Sequence, residues 1–253
     1  MFNLFFSIII FILGLIIGSF LNCVIYRLEN DKSFIKGRSF CPSCKHNLSS
    51  LDLIPVLSYL FLGGKCRYCK KKISIHYPII EIATGLLFLL VFLNSTGFLE
   101  IAVSLAIFSL LIVIFIFDLK HSLIPDLAIY PAIILSLIWR IYIGLDITII
   151  YSLLVSAGFF FLIVFLSKER WMGMGDVKLA LFMGLFLGWP NIIVGLFSAF
   201  VIGSIVGLVL ILNKKRSMRS EVPFGPFLIT GTLIAFFWGQ KIINWYLDLF
   251  LIQ

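Results

Sequence analysis

Long runs of mainly apolar residues recur from one end of this sequence to the other, and they constrain its fold more than any other feature. They lie at about 4–26, 79–95, 99–117, 125–143, 148–166, 177–189, 191–212 and 226–250. A spanning helix takes roughly 20 such residues, because backbone N–H and C=O groups in hydrocarbon have to be satisfied within the segment itself. The pattern predicts an all-α polytopic membrane protein of about eight transmembrane helices. The run at 177–189 is short and glycine-bearing, so it is expected to break or to lean on its neighbours. At 61% hydrophobic and 13% charged, the composition excludes an ordinary soluble domain. Met1-Phe2-Asn3 gives the first run no basic start, so that run is expected to stay as a helix rather than act as a cleavable signal.

The formal charge of +8 invites a nucleic-acid reading, but the placement of the charge opposes it. Lys and Arg gather in alternate loops, from Arg27 to Lys72, at Lys120, from Lys168 to Lys178 and from Lys214 to Arg219, with only Arg140 and Lys241 near the other side. The positive-inside bias then puts these loops in the cytoplasm and both termini outside. The partner so implied is a lipid bilayer and not nucleic acid.

The one long polar stretch, about 27–78, holds Cys41-Pro-Ser-Cys44 and Cys66-Arg-Tyr-Cys69. Two CxxC pairs about twenty residues apart have the spacing of a zinc ribbon, in which each turn presents two thiolates and the two turns complete a tetrahedral sulfur site. In a reducing cytoplasm a soft thiolate set favours Zn2+ over disulfides. Four protein ligands leave no open position for a catalytic water, so the expected metal is structural and staples a small zinc-ribbon-like module. Lys45, Lys65, Arg67 and Lys70 surround it and would offset its negative charge. Cys23, inside the first run, reads as a packing residue.

Acids in spanning segments are costly, and Glu81, Asp118, Asp126 and Asp176 each need a reason. Asp118 closes the run Ile101–Phe117, and Asp176, in Gly173-Met-Gly175-Asp176-Val-Lys178, precedes the run at 177–189. Both therefore fall at the same, cytoplasmic, membrane boundary. Two carboxylates at one depth suit aspartyl peptidase chemistry: one activates a water while the other, protonated, polarises the scissile carbonyl. Gly173 and Gly175 remove bulk beside Asp176, as an extended substrate backbone would require. The competing reading is that Asp176 caps a helix and Asp118 pairs with Lys120 or Lys178. Asp126, one residue after Pro125, reads as a first-turn acid of the fourth run.

These elements together resemble the bacterial type IV prepilin peptidases, the family of prepilin leader peptidases and N-methyltransferases. The resemblance runs through Gly18-Ser-Phe-Leu-Asn22-Cys-Val-Ile-Tyr-Arg27, both CxxC pairs, Tyr77-Pro-Ile-Ile-Glu81, Asp118-Leu, Ile124-Pro-Asp126, Gly173-Met-Gly175-Asp176-Val-Lys178 and Val222-Pro-Phe-Gly225-Pro226. It implies cleavage of prepilin or pseudopilin substrates after a glycine, at the cytoplasmic face of a bacterial inner membrane, by the pair Asp118 and Asp176. It also implies methylation of the new N-terminus with S-adenosylmethionine. Glu81 would then meet the cationic amine, or else Arg27 or Lys72, and Asn22, Arg27, Gly173, Gly175 and Lys178 are further binding candidates. The implied division is 1–78, the first helix with the metal-binding and methyltransferase-associated region, and 79–253, the peptidase region. A peptidase without methyltransferase activity is the alternative. An ion-coupled transporter would also use membrane acids and broken helices, but it would leave the cysteine loop without a role.

Overall fold

The computed structural model describes residues 4–30, 32–33, 37–213 and 222–251. The basic stretch Lys214–Arg219 and the two chain ends, which carry part of the orientation argument, lie outside them. The described residues form helices and no strand, with isolated antiparallel bridges at Phe40–Asn47 and Lys65–Lys72. The chain divides into two compact units, Met1–Val113 and Ile114–Gln253.

In the first unit, α1 (Leu4–Leu28) packs along α3 (His76–Asn94), and the short α2 (Leu57–Phe61) lies in the polar stretch between them. Small residues bring α1 and α3 together. A Cβ on Gly14 would stand 2.7 Å from the Gly85 Cα, and one on Gly18 would stand 2.7 Å from the Glu81 Cα. Gly14 and Gly18 thus form a small-xxx-small face that lets two membrane helices meet backbone to backbone. α4 (Phe98–His121) begins in this unit and ends in the second.

The second unit contains α5 (Asp126–Ile143), α6 (Thr148–Leu153) and α7 (Phe159–Ser167). A π-turn at Leu154–Gly158 joins α6 to α7, and α8 (Met174–Leu187), α9 (Asn191–Leu212) and α10 (Gly225–Leu251) follow. Among the described residues, seven helices are long and apolar enough to cross a membrane, with Thr148–Ser167 counted as one. The eighth expected span is α8. With 14 residues it reaches about 21 Å at 1.5 Å per residue, well short of a hydrocarbon core of about 30 Å. Its length is explained by its surroundings: α5, α6, the π-turn, α7, α9 and α10 all pack on it. Leu179, Ala180, Phe182 and Met183 are fully buried. A helix that is apolar all round is a core helix, so α8 lies inside the protein rather than facing lipid.

The C-terminal end of α8 is fastened. There Arg140 of α5 donates from Nε to the Leu185 carbonyl at 2.6 Å and from Nη2 to the Phe186 carbonyl at 3.3 Å. A cation against the last carbonyls satisfies acceptors that have no helical partner and suits the helix dipole. Gly188, in the left-handed region at φ +66°, makes room for this guanidinium, which occupies the space a Cβ would need. Along the flank Ser152, next to the π-turn, donates to the Gly184 carbonyl at 3.2 Å.

Candidate functional site

Local structure explains where Asp176 stands. Gly173 is the N-cap of α8 with extended backbone, so Asp176 occupies the third helical position, from which a carboxylate can reach back to the cap. The Gly173 backbone N–H is directed at it. Asp176 thus stands in the first turn of α8, the place the alternative reading of the sequence gave it, and it is half-buried there. Asp118 lies in the last turn of α4, only 4% exposed, and its Oδ2 has no hydrogen-bond partner among the described residues. The Gly225 backbone N–H, at the start of α10, is directed at its carboxylate. The charge of Asp118 acts on Asp176, so the two acids share one electrostatic environment within the second unit.

The other residues of the Gly-x-Gly-Asp segment divide in their surroundings. A Cβ on Gly173 would meet nothing closer than a backbone nitrogen at 4.0 Å, so the space beside the cap is open. A Cβ on Gly175 would stand 3.2 Å from the Ile124 Cβ, so here the missing side chain admits a neighbouring loop. Lys178 bonds to Asp126 at 2.6 Å and not to either member of the acid pair. Asp126 opens α5, as its place after Pro125 predicts.

In the first unit the four cysteines converge, their sulfurs all within 4.8 Å of one another. The two CxxC turns repeat one hydrogen-bond pattern. The Cys41 N–H donates to His46 and the Lys45 N–H to Cys41, while the Cys66 N–H donates to Lys71 and the Lys70 N–H to Cys66. Lys45 and Lys70, each following the second cysteine of its pair, both take positive φ, at 61° and 57°. Asp52 ties the linker to the second turn through Arg67 Nε at 2.7 Å and the Tyr68 hydroxyl at 3.1 Å. Burial pushes the Asp52 carboxyl upward, but the hydrogen bonds from Ser49, Arg67 and Tyr68 outweigh it and hold it at about 2.

These residues could hold a metal ion. The Cys41 and Cys69 sulfurs are 3.9 Å apart. That is close to the edge, about 3.8 Å, of a tetrahedron with metal–sulfur bonds of about 2.3 Å. The thiols do not titrate alike. Burial pushes Cys41 up, but backbone hydrogen bonds from Cys44 and Ser43 and side-chain bonds from Cys44 and Cys66 bring it down to about 7. The Lys71 backbone draws Cys69 down, but burial and the other three thiols push it up to about 11. Four crowded thiols cannot all ionise unless a cation takes up their charge.

Between this module and the facing ends of α1 and α3 lies a cavity of about 300 Å3, whose lining includes Asn22, Tyr26, Arg27, Tyr77, Glu81 and Cys66. Glu81 is 8% exposed and accepts the Val56 N–H at 2.8 Å. Val56 sits in a γ-turn at φ 61° and ψ −50°, with the Leu57 N–H donating to the Pro55 carbonyl. This is an unfavourable conformation for a β-branched residue, and it aims the Val56 N–H at the buried acid. Asn22 donates to the Tyr77 carbonyl at 3.0 Å and joins α1 to the start of α3. Arg27 donates to the carbonyls of Ser33, Gly37 and Arg38 and so organises the chain that leaves α1. Cys23 is half-buried and also lines the cavity.

Three contributors had no role in the sequence reading. Val56 acts through its backbone N–H and Arg140 through its guanidinium on backbone carbonyls, pairings that leave no motif. Gly225 stood in the Pro-Phe-Gly-Pro element without a function attached.

Fold and sites together define a polytopic helical membrane protein with Asp118, buried, and Asp176, half-buried, in one unit and a cluster of four cysteines that could hold a metal in the other. Residues 12–95 match the bacterial peptidase A24 N-terminal domain, and residues 105–208 match the type IV leader peptidase family. Among curated relatives, the prepilin leader peptidase/N-methyltransferase of Aeromonas salmonicida (strain A449) is 34% identical over 277 residues, covering 97% of this chain and 94% of the relative. The protein of the same name from Bacillus subtilis (strain 168) is 33% identical over 242 residues, covering 95% and 98%. The one from Pseudomonas aeruginosa is 29% identical over 266 residues, covering 94% and 92%. No solved structure matches the chain. The chain belongs to the type IV leader peptidase family.

Proposed function

We propose that this chain removes the leader of prepilins or pseudopilins at the cytoplasmic face of a bacterial inner membrane and then N-methylates the new terminus. The observation that supports the first step is that the charge of Asp118 acts on Asp176, with Asp118 buried and its Oδ2 without a hydrogen-bond partner among the described residues and Asp176 open on its Gly173 side. Two neighbouring carboxylates in a partly dry site hold one proton between them. The ionised one takes a proton from water, the water oxygen bonds to the carbonyl carbon of the leader glycine, and the protonated one donates to the carbonyl oxygen. Collapse breaks the C–N bond, and the departing amine takes up a proton. The apolar segment of the substrate would lie among the spans while its leader stays in the cytoplasm. That sidedness rests on the basic loops Lys120 and Lys168–Lys178, and with it both termini face outward.

Methyl transfer belongs in the cavity of the first unit. When bound there, S-adenosylmethionine would supply an electrophilic methyl group. Glu81 is a buried acid whose Oε2 is held by Val56, and it would receive the cationic N-terminus and the proton that the amine loses. Asn22 and Arg27 would keep the walls of the cavity in register through their carbonyl contacts. Zn2+ on Cys41, Cys44, Cys66 and Cys69 would fix the remaining wall, with all four positions taken by protein.

The test is to incubate membranes containing the chain with a prepilin-like substrate and S-adenosylmethionine, and to read the product's N-terminus by mass spectrometry. Cleavage after the glycine with an added methyl group is expected. An intact leader across several such substrates would overturn the reading, and cleavage without methylation would leave a peptidase alone.

A further inference from the structure

Gly225 opens α10, and its φ lies outside the left-handed region, so no positive φ demands glycine there. The space explains the residue. The three atoms nearest a Cβ built on Gly225 all belong to the Asp118 side chain, Oδ2 at 2.5 Å, Cγ at 3.1 Å and Cβ at 3.7 Å. The position is also held firmly, because Phe224 packs against Phe160 and Phe200 at ring distances of 6.1 and 5.2 Å. The Gly225 N–H therefore arrives at the Asp118 carboxylate from a fixed direction.

We propose that Gly225 is a positioning residue of the peptidase site, its missing side chain giving the Asp118 carboxylate its place and its backbone N–H giving that carboxylate its orientation. This rests on Asp118 being one of the catalytic pair. Asp176 of α8 acts on the pair, Lys120 and His121 follow Asp118 in the last turn of α4, and the first turn of α10 carries no titratable side chain. A displaced Asp118 carboxylate slows the chemical step and leaves binding of the substrate's apolar segment in place, so the loss falls on kcat rather than on KM.

Gly225 also precedes Pro226, and a residue before proline is disfavoured in helical backbone unless it is glycine. Two variants of the full chain in membranes separate these explanations. Gly225→Ala is expected to lower cleavage of a prepilin-like substrate by roughly 10–100-fold, as misplacement of a catalytic group does. The loss should fall on kcat with KM little changed, and the variant's thermal midpoint in detergent should stay near that of the wild type. The double variant Gly225→Ala/Pro226→Ala, relieved of the proline restriction, is expected to remain impaired. Near-wild-type cleavage by Gly225→Ala, a loss carried by KM with kcat unchanged, or recovery in the double variant would each overturn the proposal. Failure of the underlying dyad reading looks different: Asp118→Asn itself would then cleave.

Discussion

Lys178 Nζ lies 2.6 Å from Asp126 Oδ1 and 4.8 Å from the centre of the Tyr130 ring, so the cation two residues beyond Asp176 is committed to α5. Had Lys178 turned to the acid pair, it would have neutralised a carboxylate there. An ion pair this exposed contributes little to stability, roughly 0.2–1 kcal/mol. Asp126→Asn is therefore expected to fold normally and to keep most leader cleavage, whereas a catalytic aspartate would not tolerate the change. A cleavage assay at matched protein levels decides this, and abolition of activity in Asp126→Asn would move Asp126 into the catalytic set.

Arg140 is expected to matter for stability more than for chemistry. Its replacement by leucine leaves the Leu185 and Phe186 carbonyls without their donor and removes a cation from the C-terminal end of α8. Hydrogen bonds to a charged group contribute about 1.5–3 kcal/mol. Arg140→Leu should lower the thermal midpoint in detergent while retaining cleavage at low temperature. An unchanged midpoint would contradict the fastening of α8.

Glu81→Gln separates the two activities. The carboxylate lies in the cavity of the first unit and the acid pair lies in the second. The variant is expected to cleave a prepilin-like substrate normally and to leave its new N-terminus unmethylated, as mass spectrometry of the product would register. Full methylation by Glu81→Gln would remove the cavity from the reaction.

Metal removal should follow the same division. Cys66→Ser takes one of four thiolates from a closed site and leaves Lys45, Lys65, Arg67 and Lys70 without the negative charge they surround. Bound zinc, measured by elemental analysis, should drop well below one ion per chain, and methylation should fall further than cleavage, since Cys41 and Cys66 line the cavity. A variant that keeps stoichiometric zinc would contradict the four-cysteine site.

What could be read from the sequence follows from what a linear pattern carries. The cysteine module was legible because two CxxC turns at ribbon spacing admit few geometries, and its sulfurs do converge. The spans were legible from apolar length alone, with α8 standing apart as too short. That α8 is enclosed by six neighbouring elements depends on tertiary packing, which hydropathy does not encode. Asp118 and Asp176 stood out as acids at one membrane boundary, yet the contact of Gly225 with Asp118 joins residues more than a hundred positions apart. The Val56 γ-turn against Glu81 and the Arg140 hold on α8 involve backbone N–H and carbonyl groups, to which side-chain identity gives no clue.

The central claim is that Asp118 and Asp176 act as one unit, and single asparagine variants test it most directly. Leader removal by wild type, Asp118→Asn and Asp176→Asn would be followed across pH in membranes at equal protein level, with methylation of an already cleaved substrate measured in parallel. The account predicts a bell-shaped profile for the wild type, no detectable cleavage by either variant and unimpaired methylation by both. Cleavage near the wild-type rate by either variant would contradict it.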